Sequence, residues 1–524
     1  MFDLINLRGA GVALCVLVSG CATVGPDFEK PEADVADSWL EAHDPRVDTS
    51  SSAYQSWWEV FNDPVLNELI ELAYNQNLNL QVAGLRILEA RAQLGIATGS
   101  QYPQSQTVGA SYARSTSSEN APPFSNLPPT LNVNNTVNVW SLSFNIAWEA
   151  DIWGRFRRGI EAADANFAAS MLNYDAVLVT LTGDVASLYN QIRTLDQRII
   201  YTRENVKIQE QGLELAQARF DFGATSELDV KQSESLLYGT RATIPQFELS
   251  MRQAKNALSI LLGMPPTELE DILAQAGKTY EHAIGVLNAP KTAAVGIPAD
   301  LIRRRPDVRR AEMAAAAQSA AIGVAKADLY PSFILAGSIG LAGESFSDQF
   351  DSGSSTGFIS PLIDWNIFNY GRIKNNVRVQ DARFQQLVVT YQNVVLNAAR
   401  EVEDGLVGFL RSQDEVTELN KAIAASQEAV DLSTYQYEQG LVDYQRVLSS
   451  YSSLLNQQVR LAQAQGATAG SLISTYRALG GGWQLHQGQP WVHPETMQVM
   501  SERTNWGDIL EDQLQPAHLE DASY

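Results

Sequence analysis

Cysteine and histidine are scarce in this chain. Of its 524 residues, two are cysteine and five are histidine. Cys15 lies in an N-terminal segment with the pattern of a removable secretory signal, so the mature chain keeps only Cys21 and forms no internal disulfide. The histidines are scattered without metal-site spacing, and the sequence has neither a glycine-rich phosphate loop nor a nucleophile elbow. These absences exclude the common patterns of catalysis and metal binding, and we expect no enzyme activity and no cofactor.

Long apolar runs and positive charge are also missing. Beyond the signal segment there is no apolar run of about eighteen residues, which excludes a later transmembrane helix. The chain has 37 Lys and Arg against 60 Asp and Glu, a net charge of −23. Because such a chain offers no basic face to phosphates, a nucleic-acid partner is not expected.

The N-terminus indicates export and lipid attachment. Residues 1–20 predict a signal peptide, in which Arg8 precedes an apolar run over 11–18 that is too short to span a bilayer. The run ends in Leu-Val-Ser-Gly-Cys, which resembles the bacterial lipobox and implies a covalent diacyl lipid on Cys21. Ala22 follows, where lipoproteins kept in the inner membrane often carry Asp, so the outer membrane is favoured. A plain signal peptide with an incidental cysteine is the alternative.

The chain contains an internal repeat. Gly154 and Gly371 each open a long stretch of mixed polar and apolar residues, and 371 − 154 = 217. The two stretches end near Gly223 and Gly440, and 440 − 223 = 217 as well. A repeat in register over this length predicts a duplicated architecture with two helices, each about 100 Å long.

The apolar residues of both stretches recur at alternating spacings of three and four, which is the heptad pattern of packed helices. A helix with such a seam and a polar back must lie against other helices, and an ordinary coiled-coil dimer is the alternative. The second seam is weaker, because Gly405 and Ser412 occupy apolar positions. The other seam positions are Leu178, Leu181, Val185, Leu188, Ile192, Leu195 and Ile199, then Val395, Ala398, Val402, Phe409, Val416, Leu419, Ile423 and Val430.

Two pairs of alternating segments precede the long helices. Over 137–149, aromatic and branched side chains point to one side and small ones to the other, which predicts a strand with one apolar face. The pattern recurs in a partner near 107–112 and in a second pair that extends to Ile367. Pro361 in that pair predicts a bulge or a distortion, because it cannot donate to a ladder. The apolar face predicted to contact lipid consists of Trp140, Leu142, Phe144, Ile146 and Trp148.

These strands predict an oligomer. A soluble sandwich has the same alternation, but four strands make too small a sheet for one. In a bilayer an open sheet leaves backbone groups unpaired, so the sheet must close, and about eight strands form the smallest spanning barrel. Two copies of the chain supply eight strands around a filled interior, and three copies supply twelve around a lumen. A ring of long helices below the strands favours three copies.

Several stretches of the sequence resemble one family closely. They are "CATVGPDFEKPE", "WWEVFNDPVLNELIELAYNQNLNL", "WEADIWGRFRRGIEAADANFAAS", "GIPADLIRRRPDVRRAEMAAAAQSAAIGVAKADLYPSF" and "YRALGGGW", which together span roughly residues 21–483. The chain resembles the outer membrane factor family of TolC-like exit ducts, in its NodT/OprM-type lipoprotein branch. The most specific elements are "RRRPDVRRAE" and "YPSF".

The resemblance implies an α+β membrane protein that forms a homotrimer. Its twelve-stranded barrel, with four strands per protomer, sits among outer membrane lipids and continues into a long periplasmic α-helical barrel. The implied partners are a periplasmic adaptor (membrane fusion) protein and an inner-membrane pump, of RND type, whose small-molecule substrates leave through the lumen. The alternatives are the outer membrane channel of a type I protein secretion system and a non-channel coiled-coil lipoprotein scaffold.

The predicted organisation has two halves joined by a linker. Each half contains a helix, a hairpin, a long helix and a returning helix; the first helix is expected to run unbroken from Asp63-Pro64 towards Gly99. The acidic tail is expected to be periplasmic decoration or partly disordered. The predicted segments are a signal peptide (1–20), a lipidated segment (21–62), repeat 1 (63–263, with hairpin 105–149, long helix 154–222 and return helix 225–262), a periplasmic linker (264–297), repeat 2 (298–483, with hairpin 332–369, long helix 371–439 and return helix 441–479) and a tail (484–524).

The turns after the long helices, at Gly223 and Gly440, match the periplasmic tip of the family, where the adaptor docks and the duct closes. Asp229, six positions after the first turn glycine, matches a family acid. In the second turn many family members carry acids at plus six and plus nine. This chain has Arg446 and Ser449 there. The usual acidic ring is therefore not expected.

We hypothesise that Asp229, Asp443, Tyr444 and Arg446 form a substitute latch at the aperture. Threefold symmetry brings like charges together, and an arginine beside them relieves the repulsion and favours closure. The alternative is that these are solvated turn residues.

Overall fold

The computed structural model describes residues 23–50, 55–122, 124–126, 128, 134–279, 285–298 and 303–510. Long helices dominate this part of the chain, and one four-stranded sheet lies at their end. The main elements, in chain order, are α1 (Pro64–Gln76), α2 (Leu78–Gly99), β1 (Ser105–Thr116), β2 (Thr136–Ala150), α3 (Arg155–Asp221), α4 (Glu227–Leu261), α5 (Pro266–Thr279), α6 (Pro306–Ala327), β3 (Ser332–Gly343), β4 (Ser355–Asp364), α7 (Arg372–Glu438), α8 (Tyr444–Ala478) and α9 (Pro494–Arg503).

The internal repeat is present in the fold. Helices α3 and α7 each have 67 residues, and α4 and α8 each have 35. The starts of α3 and α7 differ by 372 − 155 = 217, and those of α4 and α8 by 444 − 227 = 217. At the usual rise per residue, α3 and α7 are about 100 Å long.

Glycine and one carboxylate set the start of α3. Gly154 has a φ of 78°, a left-handed conformation that turns the chain from β2 into the helix. The Asp151 carboxylate accepts hydrogen bonds from the backbone N–H groups of Phe156 (3.1 Å) and Arg157 (3.0 Å). These bonds satisfy two of the donors that a helix N-terminus leaves free.

The heptad seams form the core between the long helices. Leu178 and Val185 of α3, and Val402 and Phe409 of α7, are completely buried. Gly405 is also a packing position, because a Cβ there would collide with the Thr475 hydroxyl of α8. The apparent gap in the second seam is therefore a site of close helix approach.

A buried ion pair joins α1 to α3. Arg193 Nη1 lies 2.8 Å from Asp63 Oδ2, and the two side chains are only 7% and 8% exposed. The other Asp63 oxygen caps α1 by accepting the N–H groups of Val65 (3.0 Å) and Leu66 (3.1 Å). Tyr189 donates its hydroxyl to Asp63 at 3.2 Å, and burial raises the pKa of this phenol.

The single helix expected from Asp63-Pro64 to Gly99 is wrong, because Asn77 divides it into α1 and α2. The Asn77 side chain accepts the Leu80 N–H at 2.8 Å and so caps α2. Its amide also donates to the Leu261 carbonyl at 2.8 Å, at the end of α4. Both interactions favour an extended backbone at Asn77, where ψ is 120°.

The acidic tail folds back onto α2 up to residue 510. Val492 and Met500, from the α9 segment, bury apolar surface with Leu88 of α2. Gly84 of α2 allows the close approach, because a Cβ there would collide with the Trp491 carbonyl. Residues 511–524 lie outside the described residues.

Candidate functional site

The four strands form one antiparallel sheet in the order β1-β2-β3-β4. Phe144 of β2 lies opposite Val108 of β1 and Ile339 of β3, so apolar residues of neighbouring strands share one face. On the other face Ser111 and Ser141 are hydrogen-bonded through their hydroxyls at 2.7 Å. The sheet is amphipathic along its length.

The five residues predicted to contact lipid all lie on the apolar face of β2. Leu142, Phe144 and Trp148 are exposed in the protomer, and Trp140 and Ile146 are half-buried. The Trp140 ring packs against Tyr112 of β1 at a centroid distance of 4.6 Å, which accounts for its lower exposure. Contact of this face with lipid stays a prediction.

Two expectations for the second hairpin are wrong. Pro361 pairs one-to-one with Leu335 in an unbroken register, without a bulge. β4 is an outer strand of the protomer, where alternate N–H groups point away from the neighbouring strand, and a proline is tolerated at such a position. The strand also ends at Asp364, before Ile367.

The turns at Gly223 and Gly440 have the same geometry. Both glycines are left-handed, with φ of 70° and 73°. After each, a backbone N–H reaches back to close the helix end, from Ala224 to the Arg219 carbonyl (2.8 Å) and from Leu441 to the Gln436 carbonyl (2.9 Å). This is the Schellman arrangement, which favours glycine because the position requires positive φ.

At this end the two long helices are tied together by Arg219 and Tyr437. Arg219 of α3 donates to the backbone carbonyls of Tyr437 (2.6 Å) and Glu438 (2.8 Å), at the end of α7. Its guanidinium also lies 4.6 Å from the centre of the Tyr437 ring. The last carbonyls of α7, which the helix leaves without partners, are thus satisfied by a cation.

Asp229 belongs to the same cluster. Its Oδ2 accepts the Tyr437 hydroxyl at 3.1 Å and also the Thr225 hydroxyl. Tyr437 is buried, and this burial raises the pKa of its phenol. Thus α4, which carries Asp229, is bonded to α7 across the bundle.

The other predicted latch residues are Asp443, Tyr444 and Arg446, and each makes different contacts in the protomer. Asp443 caps α8 by accepting the Arg446 backbone N–H at 3.3 Å. Tyr444 is buried and shares a hydrogen bond of 2.9 Å with the Ser233 hydroxyl, and burial raises its pKa. The Arg446 side chain is exposed and makes no ion pair within the described part of the protomer. The Tyr444 ring also packs on Tyr437, with centroids 4.8 Å apart, so Tyr444 joins the cluster of Asp229. Asp443 and Arg446 lie outside this cluster within the described subunit.

Sequence reasoning missed Arg219 and Tyr437. A comparison of the two repeats would have found them, since 219 + 217 gives Gln436 and 437 − 217 gives Phe220. The two turns differ at these positions, which are the ones that tie the helices together.

Cys21 lies outside the described residues, which begin at Thr23. Thr23 packs against Gly154, where a Cβ would collide with the threonine side chain, and the Val24 N–H donates to the Trp153 carbonyl at 3.0 Å. The chain that follows the cysteine is thus held at the junction of β2 and α3. Among the described helices, none combines the length and the apolar run needed to cross a membrane.

The protomer has an amphipathic sheet with two open outer edges, and paired helices of about 100 Å continue from it. This combination defines one subunit of an oligomeric membrane channel. Comparison with known proteins agrees. The model of the outer membrane efflux protein family matches residues 69–264 and 297–481. The chain is similar to Nodulation protein T of Rhizobium leguminosarum bv. viciae, with 30% identity over 91% of this chain and 94% of that protein. It is also similar to the toluene efflux pump outer membrane protein TtgF of Pseudomonas putida, with 29% identity over 91% of this chain and 98% of that protein.

Among solved structures, the outer-membrane channel OprN matches 88% of this chain and 100% of its own, with a TM-score of 0.80 and 28% identity. The chain belongs to the outer membrane efflux protein family. It is a channel of the outer membrane and not an enzyme, and it serves as the exit duct of an efflux system. Its fold class is the one expected, a homotrimeric barrel that continues into a long helical barrel.

Proposed function

We propose that this duct is lipid-anchored through Cys21, accepts small molecules from a periplasmic adaptor and an RND-type pump, and closes at the helical tip. The observation that carries the proposal is the geometry of the subunit. A sheet with one apolar face is continuous, through the Gly154 and Gly371 junctions, with helices long enough to enter the periplasm.

Small molecules are the favoured substrates. The similar protein TtgF is named for toluene efflux, and its length is almost fully covered by the match. Small and polar side chains, such as Ser141 and Ser143, lie on the face of β2 opposite the predicted lipid-facing residues. A lumen lined in this way selects little, so the choice of compound belongs to the pump.

The position of Thr23 supports lipid attachment at Cys21. Thr23 lies at the junction where the strands end, and two residues of extended chain span about 7 Å, so an anchor two positions before Thr23 is compatible with a bilayer at that level. Acyl chains on Cys21 then meet the same bilayer that the strands cross. Metabolic labelling with an alkyne fatty acid tests this step: label is expected on the intact chain and not on Cys21→Ala. Equal labelling of both would overturn it.

The turns at Gly223 and Gly440 are proposed to contact the adaptor. Each turn presents an apolar side chain to solvent, Phe222 beside the first glycine and Leu441 beside the second. Phe222→Asp and Leu441→Asp are expected to abolish efflux while trimer formation and channel conductance persist. Loss of the trimer in both variants would instead assign these residues to assembly.

The tip cluster of Arg219, Tyr437 and Asp229 is proposed to hold the duct closed. It bonds α3 and α4 to the end of α7, so the helix pairs cannot separate at this end until these bonds break. Asp443, Tyr444 and Arg446 lie on the adjoining turn, where Arg446 is free to meet acids of a partner subunit. Opening then requires that the adaptor replace these contacts.

The function itself is tested by replacing the resident duct of an efflux-competent host with this chain. Restored tolerance to organic solvents and hydrophobic antibiotics, dependent on an RND pump, is the expected result. Restored secretion of a type I protein substrate without restored tolerance would favour the protein-secretion alternative.

A further inference from the structure

Inside one subunit, the junction of the two repeats is closed by an aromatic contact. Trp153, between β2 and α3, stacks on Tyr330, between α6 and β3, with ring centroids 4.6 Å apart and planes 24° apart. The Trp153 indole also donates to the Pro331 carbonyl at 2.8 Å. This contact lies beside the pairing of β2 with β3, where repeat 1 meets repeat 2.

The same residues recur on the two outer edges of the subunit. Position 153 + 217 is Tyr370, between β4 and α7. The Tyr330-Pro331 pair recurs as Tyr102-Pro103, between α2 and β1, and the segments before the hairpins correspond at an offset of 331 − 103 = 228 because the first hairpin loop is longer. Yet Tyr370 is fully exposed and Tyr102 is 66% exposed. β1 and β4 are the outer strands of the sheet, so these two halves of the contact lie on opposite edges.

The long helices have the same asymmetry. Leu172 and Val179 of α3 are 2% and 7% exposed, whereas their repeat counterparts on α7, Val389 and Leu396, are 54% and 58% exposed. The positions correspond, since 389 − 172 = 217 and 396 − 179 = 217. An apolar stripe that is covered in repeat 1 is therefore bare in repeat 2.

Helix α2 has the complementary bare side. Gly323 of α6 is covered by the Arg158 side chain, whereas its counterpart Gly95 of α2 faces open space among the described residues. Next to it, Ile96 is exposed, and its counterpart Val324 is half-buried. α6 packs between α3 and α7 of its own subunit, but α2 packs on α3 and lacks a second long helix in the described protomer.

We propose that the subunit interface reproduces the junction between the repeats, with Tyr370 stacked on Tyr102 of the partner subunit. The partner is a second copy of this chain, because only a copy presents the Tyr-Pro pair, the open β1 edge and the bare α2 face in the order that the repeat requires. α7 places Val389 and Leu396 on that α2 face.

The backbone at Tyr370 supports this role. Its φ of 49° lies in the left-handed region that non-glycine residues rarely adopt. Within the subunit the Arg372 N–H donates to the Asn369 carbonyl at 2.9 Å, which closes a turn through Tyr370 and Gly371 and holds this backbone. The turn leaves the Tyr370 ring exposed beside the outer strand β4, where a partner can bury it.

The repeat junction has an ionic contact that the interface lacks. Arg155 lies 3.6 Å from Glu149 and 3.9 Å from Asp328 within the subunit. The counterpart of Arg155 is Arg372, but Asn366 and Ser100 replace the two acids at the matching positions. We therefore expect the aromatic contact to contribute a larger share of the stability of the subunit interface than of the repeat junction.

Thiol cross-linking tests the proposal without background, because the mature chain has no cysteine other than the proposed lipidation site. The intact trimer of the double variant Tyr102→Cys/Tyr370→Cys is treated with a short bismaleimide and then denatured. We expect covalent dimers and trimers. Each single variant should give none. The matched control Trp153→Cys/Tyr330→Cys places the same pair within one subunit and should give only a linked monomer.

A photoreactive benzoylphenylalanine at position 370 provides a second measurement that keeps both native edges. Its cross-link is expected on a peptide that contains Tyr102. Trimers that yield neither covalent species nor this peptide would overturn the proposal, and a cross-link to lipid would assign Tyr370 to the membrane surface instead. Both readouts are independent of efflux, so failure here is distinct from failure of the proposed function.

Discussion

The hydroxyl of Tyr437 offers the sharpest test of the tip. Tyr437→Phe removes the hydrogen bond to Asp229 but keeps the ring under the Arg219 guanidinium. Arg219 also keeps its two bonds to backbone carbonyls. The substitution therefore removes one interaction between α7 and α4 and leaves the α3–α7 contact in place.

The size of the effect follows from burial and charge. A hydrogen bond to a charged group contributes about 1.5–3 kcal/mol, and the lower end applies because Asp229 is only half-buried and keeps the Thr225 hydroxyl. A loss of about 1.4 kcal/mol is a tenfold change in an equilibrium. We expect the open probability to rise about tenfold if release of one subunit is enough to open the duct, and about 1000-fold if all three subunits must release.

Single-channel recording in planar bilayers measures this probability. Tyr451→Phe is the matched control. It removes a phenol from the same bundle whose hydroxyl lies 3.4 Å from the Thr434 hydroxyl and is hydrogen-bonded to no acid among the described residues. Its openings should stay at the level of the unaltered duct. An unchanged open probability in Tyr437→Phe, or an equal rise in both variants, would refute the latch.

Three further outcomes are expected. Arg446→Ala should raise the closed-state conductance if its guanidinium holds acids across the trimer axis; unchanged conductance would remove Arg446 from the latch. Arg193→Met leaves the buried Asp63 carboxylate without its ion-pair partner and should lower the free energy of unfolding by about 3–5 kcal/mol, measured by thermal unfolding followed by circular dichroism. Adding Asp63→Asn should restore part of this loss. If it does not, the ion-pair account is refuted. Burial raises the pKa of the Asp175 carboxyl from the usual 3.8 to about 7. Between these values the folded state holds a proton that the unfolded state releases. The protonated carboxyl therefore contributes to the free energy of unfolding at low pH, and this contribution is lost as the pH rises through 7. Asp175 Oδ1 lies 3.4 Å from Nδ1 of His486, whose own pKa is lowered by burial. Asp175→Asn should flatten the fall of the unfolding free energy between the two pKa values of the carboxyl, and an unchanged slope would contradict it.

Periodicity and landmark spacing predicted most of the fold. The 217-residue offset between Gly154 and Gly371 is reproduced by two helices of equal length, because the heptad seam and the glycine turns are local properties of the chain. The amphipathic strands were predicted for the same reason, since alternation with period two places side chains on opposite faces.

The predictions from sequence were wrong where local structure depends on contacts with distant segments or on the position of a strand in the sheet. Asn77 divides a continuous apolar pattern, because its amide bonds Leu261 at the end of α4. Pro361 causes no bulge, because its strand lies at the edge of the sheet. Asn77 also caps α2 through the Leu80 N–H, which is a local interaction, but Leu261 and the position of β4 at the sheet edge are not visible in the neighbouring sequence.

The candidate site divides in the same way. The amino-acid sequence alone determined the repeat, the turn glycines, the predicted lipid-facing residues and the position of Asp229, which depend on spacing along one chain. The tertiary structure decided that Asp229 meets Tyr437 and that Arg219 reaches the end of α7, while Asp443 and Arg446 stand apart. The physical reason is that hydrogen bonds require approach to about 3 Å, and only the packing of two long helices brings residues more than two hundred positions apart within that distance.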